Sequence, residues 1–159
     1  MTGLLGTLLG GTIALISTIV VDRLRERREL RHRWDQRGFD ELRDYISSAN
    51  LVIGALYDRG HTKAKRGPDS ESFRRFKNVS RGRYDELRVA EACAAMSNPA
   101  LRPEIDAVGS GLEKLKVIAE RGFEPQDAAW EEGRAETMSA LRSLIDRAGD
   151  FYGMRSGDD

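Results

Sequence analysis

Residues 3–21 read GLLGTLLGGTIALISTIVV, 19 consecutive positions without a charge, and Asp22–Arg23 ends the run abruptly. No other feature constrains the chain as strongly. As a helix rising 1.5 Å per residue, the run is roughly 28 Å long, close to the ~30 Å hydrocarbon core of a bilayer. A helix satisfies its backbone polar groups internally, so it can cross that core. Other fates fit the residues less well. A secretory signal wants a basic start and a small-x-small cleavage site. Met1–Thr2 holds no Lys or Arg, and residues 17–25 (STIVVDRLR) offer no such site. A buried amphipathic helix or an interfacial one needs a polar face, which the run lacks. Residues 1–21 are therefore expected to form a single-pass transmembrane anchor.

The flanks give the anchor a direction. Arg23, Arg25, Arg27, Arg28, Arg31, Arg33 and Arg37 follow the run, and no Lys or Arg precedes it. Basic residues beside a span stay on the cytoplasmic side. The expected topology in the cell membrane puts the N-terminus outside and the C-terminal domain in the cytoplasm. Residues 22–33 (DRLRERRELRHR) read as a basic juxtamembrane stalk. Its arginines suit anionic headgroups, at about 1 kcal/mol each near the surface. The run also carries small residues at every fourth position: Gly6, Gly10, Ala14 and Thr18. Such a face lets helix backbones approach closely in lipid, so self-association into a homo-oligomer is expected.

From Trp34 onward apolar residues recur at three- and four-residue steps, the period of an amphipathic helix. Trp34, Phe39, Leu42, Ile46, Ala49, Ile53 and Leu56 form a first stripe, with Gly60 placed to end its helix. Residues 59–70 (RGHTKAKRGPDS) read as a basic loop. A second helix starts near 69–72 and carries Phe73, Phe76, Tyr84, Leu87, Ala90 and Ala94, with Gly82 a point of kinking or interruption. Asn98 is placed to cap Pro99, or Pro103 to start the third helix. Ile105, Val108, Leu112, Leu115 and Ile118 line that helix, and Gly122 with Phe123 closes it. Trp130, Met138, Leu141, Ile145, Ala148 and Tyr152 line a fourth. Four helices on short connections predict an all-α fold: the anchor continuing into an antiparallel four-helix bundle over residues 34–152. The basic 59–77 end would lie far from the membrane, and residues 153–159 would form a disordered tail.

Chemistry-bearing constellations are scarce. Cys93 is the only cysteine, which excludes an intrachain disulfide and a thiolate cluster. Glu29-x-x-His32 has the spacing of a di-iron bundle motif, but such a site needs a second copy, and His61 is the only other histidine. No Walker A or G-x-S-x-G pattern occurs. No catalytic residue, metal or cofactor is expected, and the chain is not read as an enzyme. Net charge is zero, yet residues 1–83 carry 17 Lys/Arg against 10 Asp/Glu, while residues 84–159 carry 9 against 16. Lys63, Lys65, Arg66, Arg74, Arg75 and Lys77, interleaved with Phe73 and Phe76, make a candidate patch for an acidic protein partner. Nucleic acid is the less favoured partner for it.

Glu86-Leu87-Arg88, then Ser97-Asn98-Pro99, then Pro103-Glu104-Ile105-Asp106-Ala107 resembles the helix, Ser-Pro break and acidic amphipathic helix of a loose group of uncharacterised actinobacterial membrane-anchored small helical proteins. Here NPALR separates Ser97 from Pro103. The resemblance implies no activity. Together these readings lead to the expectation of a membrane-anchored, non-enzymatic helical interaction or scaffold protein. The alternative is a membrane-perturbing oligomeric effector of the defence or lysis type.

Overall fold

A computed structural model describes the backbone of residues 3–152 and the side chains of residues 35–152. Every regular element is helical: α1 (Gly3–Arg66), α2 (Glu71–Ser97), a 3-10 turn (Pro99–Leu101), α3 (Arg102–Arg121) and α4 (Ala128–Phe151). The chain divides into two compact units, Met1–Arg37 and Gly38–Asp159. In the first, α1 is unbroken helix from Gly3. The anchor face at Gly6, Gly10, Ala14 and Thr18, the arginines 23–33, Glu29, His32 and Trp34 lie outside the residues described with side chains. So does the tail after Tyr152. Among the residues so described, no helix is long and apolar enough to cross a membrane.

The second unit is a helical bundle. Its helix directions follow from contacts at its two ends. At one end Gly38 of α1 meets Ser97 and Asn98 at the end of α2, and Tyr152 after α4. At the other, Gly60 of α1 meets Ala119 of α3 and Phe123 before α4. α1 and α3 therefore run one way and α2 and α4 the other, the up-down-up-down order that short connections favour. The core is drawn from all four helices: Leu42, Tyr45, Val52 and Leu56 of α1, Leu87 of α2, Ile105, Val108, Leu112 and Leu115 of α3, and Trp130, Leu141 and Leu144 of α4. Burying each large side chain stabilises the fold by about 1.5–3 kcal/mol.

Small residues let α3 and α4 approach closely. A Cβ on Gly111 would stand 2.6 Å from Thr137 Oγ1, and one on Gly133 would stand 3.2 Å from Leu115 Cδ2. Thr137 is buried and donates its hydroxyl to the Gly133 carbonyl at 2.8 Å, so its polar atom costs little.

Capping explains the boundaries. Gly67 adopts φ +82°, and its N–H reaches the Lys63 carbonyl at 3.0 Å, a left-handed stop to α1. Ser70 caps α2 by accepting from Phe73 N–H at 3.2 Å. Gly122, also at φ +82°, ends α3 and lets Phe123 turn into the core. Asp127 caps α4, accepting from the N–H groups of Ala129 and Trp130 at 2.9 and 3.1 Å.

Four local expectations are corrected. Gly60 does not end α1; the helix runs on to Arg66, so the basic loop shrinks to residues 67–70. Gly82 does not interrupt α2, because one solvent-facing glycine costs only about 1 kcal/mol of helix propensity. Asn98 makes no side-chain cap for Pro99; its amide bridges other elements instead. Ile145 is 49% exposed, because the α4 stripe turns to Leu144 after Leu141.

Candidate functional site

The basic residues singled out from the sequence fall on the α1–α2 end of the bundle and separate there. Lys63 is spent on structure: its ammonium donates to the Glu120 carbonyl near the end of α3, where unpaired carbonyls favour a cation. Arg74 is exposed on α2. Lys65, Arg66 and Arg75 share a cleft of about 370 Å³ with His61, Ser72 and Phe76. Arg66 donates to Ser72 Oγ at 2.6 Å, which fixes it across the α1–α2 turn. Among the described residues Lys65, Arg74 and Arg75 form no salt bridge.

Lys77 belongs to a second cleft, of about 300 Å³, where α1, α2 and α3 converge. Arg59, Arg81, Arg88 and Lys116 line it as well, against Asp85 and Glu120. The spacing of Lys77, Arg81 and Arg88 places them on one α2 stripe. Arg59 crosses from α1 with its side chain 14% exposed and its guanidinium 3.6 Å from Glu120. Its Nε is buried without a hydrogen-bond partner. Ser80, fully buried, turns its hydroxyl back to the Lys77 carbonyl at 2.9 Å. Tyr84 forms the wall, donating to the Leu112 carbonyl at 2.7 Å. Burial pushes its phenol well above the ordinary tyrosine value, with Glu113 adding to the rise and Arg88 opposing it. Lys116 lies over the Tyr84 ring, 5.1 Å from its centroid, and pairs with Glu113 at 2.9 Å.

Along the same α2–α3 seam the sign reverses. A cleft of about 620 Å³ is lined by Glu91, Asp106 and Glu113, with Arg88 at its edge. Burial raises the Glu91 carboxyl, and the Asp106 carboxylate raises it further. Gly109 leaves room for that carboxyl: a Cβ there would stand 3.3 Å from Glu91 Oε1. Among the described residues, no group of three or more His, Cys, Asp or Glu side chains could hold a metal. Cys93 is half-buried with a free thiol.

No family model matches this chain, and no curated protein or solved structure is significantly similar to it. Sequence reasoning reached the turn-proximal cations but not Arg59, Arg88 and Lys116. Of these only Arg88 carried a local signal, the continuation of the stripe begun by Lys77 and Arg81. The other two come from different helices and meet it only through the packing.

Proposed function

We propose that this protein is a membrane-anchored, non-enzymatic helical interaction module. Residues 3–21 are its span, and the bundle offers its basic α1–α2 end to an acidic protein partner. The observation that carries this reading is the uncharged 19-residue run followed at once by six arginines in residues 22–33. Such a segment is long enough to span and is held in one orientation by its flank. Support for the partner surface comes from Lys65, Arg66, Arg74 and Arg75. These four cations surround a four-residue turn, and among the described residues only Arg66 has a side-chain partner there. Complementary charge steers encounter and selects partners more than it adds affinity.

Fractionation tests the anchor. The full chain should remain with membranes after high-salt and alkaline washes, and a chain lacking residues 1–21 should not. A full chain recovered in the wash sinks the reading. The small-residue face also keeps the effector reading open, since spans that pack closely can assemble. In that case expression in vesicles would release trapped dye, and Gly10→Leu would stop the release. Intact vesicles at high protein load would eliminate it.

A further inference from the structure

The second basic cleft is more than a stretch of solvated surface. Lys77 and Arg81 are four residues apart on α2, and Arg88 extends the stripe. Like charges at that spacing repel on a helix, and a sequence under no other demand relieves them with an interleaved carboxylate. Asp85 stands in the stripe but is not within salt-bridge reach of any of them, and among the described residues Lys77, Arg81 and Arg88 form no ion pair. Two further cations from other helices, Arg59 and Lys116, line the same cleft. Five cations thus line a cleft with two carboxylates; Arg59 engages Glu120 and Lys116 pairs with Glu113 beside the cleft, which leaves the α2 cations Lys77, Arg81 and Arg88 uncompensated among the described residues. The Arg59 Nε–H is left buried without an acceptor, and an unmet buried donor costs about 1–3 kcal/mol. A missing acceptor with negative charge would satisfy both the repulsion and that donor.

We propose that the cleft between α1, α2 and α3 binds a phosphate group. Guanidinium forks suit a tetrahedral anion, because each offers paired N–H donors to two oxygens. Arg81 and Arg88 would clamp it from α2, Lys77 and Lys116 would add charge, and Arg59 would donate from the cleft floor. The volume of about 300 Å³ admits a small phosphorylated molecule or a lipid headgroup and excludes a folded chain. This site does not depend on the proposed acidic partner at the α1–α2 turn, whose residues Lys65, Arg66, Arg74 and Arg75 lie outside it.

The test uses the full chain in lipid nanodiscs made of phosphatidylcholine alone. Titration with inorganic pyrophosphate, followed by calorimetry, should give a Kd below about 1 mM. The double substitution Arg81→Gln, Arg88→Gln should weaken it by about tenfold or more, while Arg81→Lys should retain most of it. Both positions are exposed, so the fold is unaffected, which circular dichroism verifies. Separate phosphatidic acid vesicles, added to the discs as competitor, distinguish the sources. If the natural ligand is a headgroup, they should displace pyrophosphate; if it is a soluble phosphate, pyrophosphate binding should persist. No pyrophosphate binding in phosphatidylcholine discs, or binding that the double substitution leaves unchanged, overturns the proposal.

Discussion

Gly60 of α1 lies directly against the ring of Phe123, which the loop after α3 folds back onto the helix. The Phe123 N–H reaches the Gly60 carbonyl at 3.4 Å, and the ring stacks on Trp130 with centroids 4.4 Å apart. A glycine inside a helix normally loses about 1 kcal/mol against alanine. Here that loss permits the contact, because any Cβ would overlap the ring and crowd Ala119 Cα at 3.1 Å.

Gly60→Ala should therefore destabilise the bundle by about 1–3 kcal/mol, the usual cost of overpacking a core, despite its better helix propensity. Gly54→Ala, six residues earlier on the same helix, has nothing within 4 Å of the new Cβ. It should stabilise by up to about 1 kcal/mol. Urea denaturation of both variants measures the difference. Equal effects at the two positions would contradict the assigned role of Gly60.

Asn98 ties together three elements at the opposite end. It is fully buried, and its amide donates to the carbonyls of Gly38 and Ala94, each at 3.0 Å. Its side-chain oxygen accepts from the Tyr152 hydroxyl. Asn98→Ala removes three side-chain hydrogen bonds from a fully buried position and should cost about 2–3 kcal/mol. Tyr152→Phe leaves the Asn98 bonds to Gly38 and Ala94 in place and should cost less, about 1 kcal/mol. Thermal unfolding distinguishes the two, and an Asn98→Ala variant as stable as the parent would show that the network contributes nothing.

Those two residues show where sequence reasoning reached and where it stopped. The stripes through Leu42, Leu87, Leu112 and Leu141 recur at helical spacing and are buried together, so periodicity alone led to four helices. Gly122 sits where a stop belongs and serves as one, and α2 starts within the expected 69–72 window. Gly60 and Asn98 misled because glycine and asparagine are read by local convention, as terminator and as cap, while their actual partners lie 60 or so residues away. Tyr45 and Val52, fully buried, escaped the stripe because α1 is enclosed over a wider arc than one seam. The basic cleft escaped for the same reason: no local pattern reports that Arg59 and Lys116 converge on α2.

Alkaline pH should expose two of the tyrosines through stability. Burial raises the phenols of Tyr45 and Tyr84 above their ordinary value near 10. Tyr45 donates to the Ile105 carbonyl at 3.1 Å and Tyr84 to that of Leu112, bonds that only the neutral phenol makes. The folded state holds these protons after the unfolded state has released them. Stability is thus unaffected below about pH 10 and falls as pH rises beyond it. Tyr45→Phe with Tyr84→Phe should flatten that decline. Tyrosinate absorbance should show two groups that ionise only on unfolding.

Glu91 gives the acid-side counterpart. Its carboxyl is raised first by burial and then by Asp106, with Arg102 and Arg88 opposing. A raised carboxyl binds its proton more tightly in the folded chain, so its ionisation works against folding near neutral pH. That opposition fades as pH falls through the raised value and is absent below the ordinary glutamate value of about 4.3. Glu91→Gln keeps the shape and removes the charge beside Asp106. Its Tm should exceed that of the parent near neutral pH, and the gain should vanish below about pH 4. The same substitution at Glu132 on α4, exposed and in no salt bridge among the described residues, should show no such pH-dependent gain. A constant offset for Glu91→Gln across the whole range would mean that packing, not charge, governs the acidic cleft.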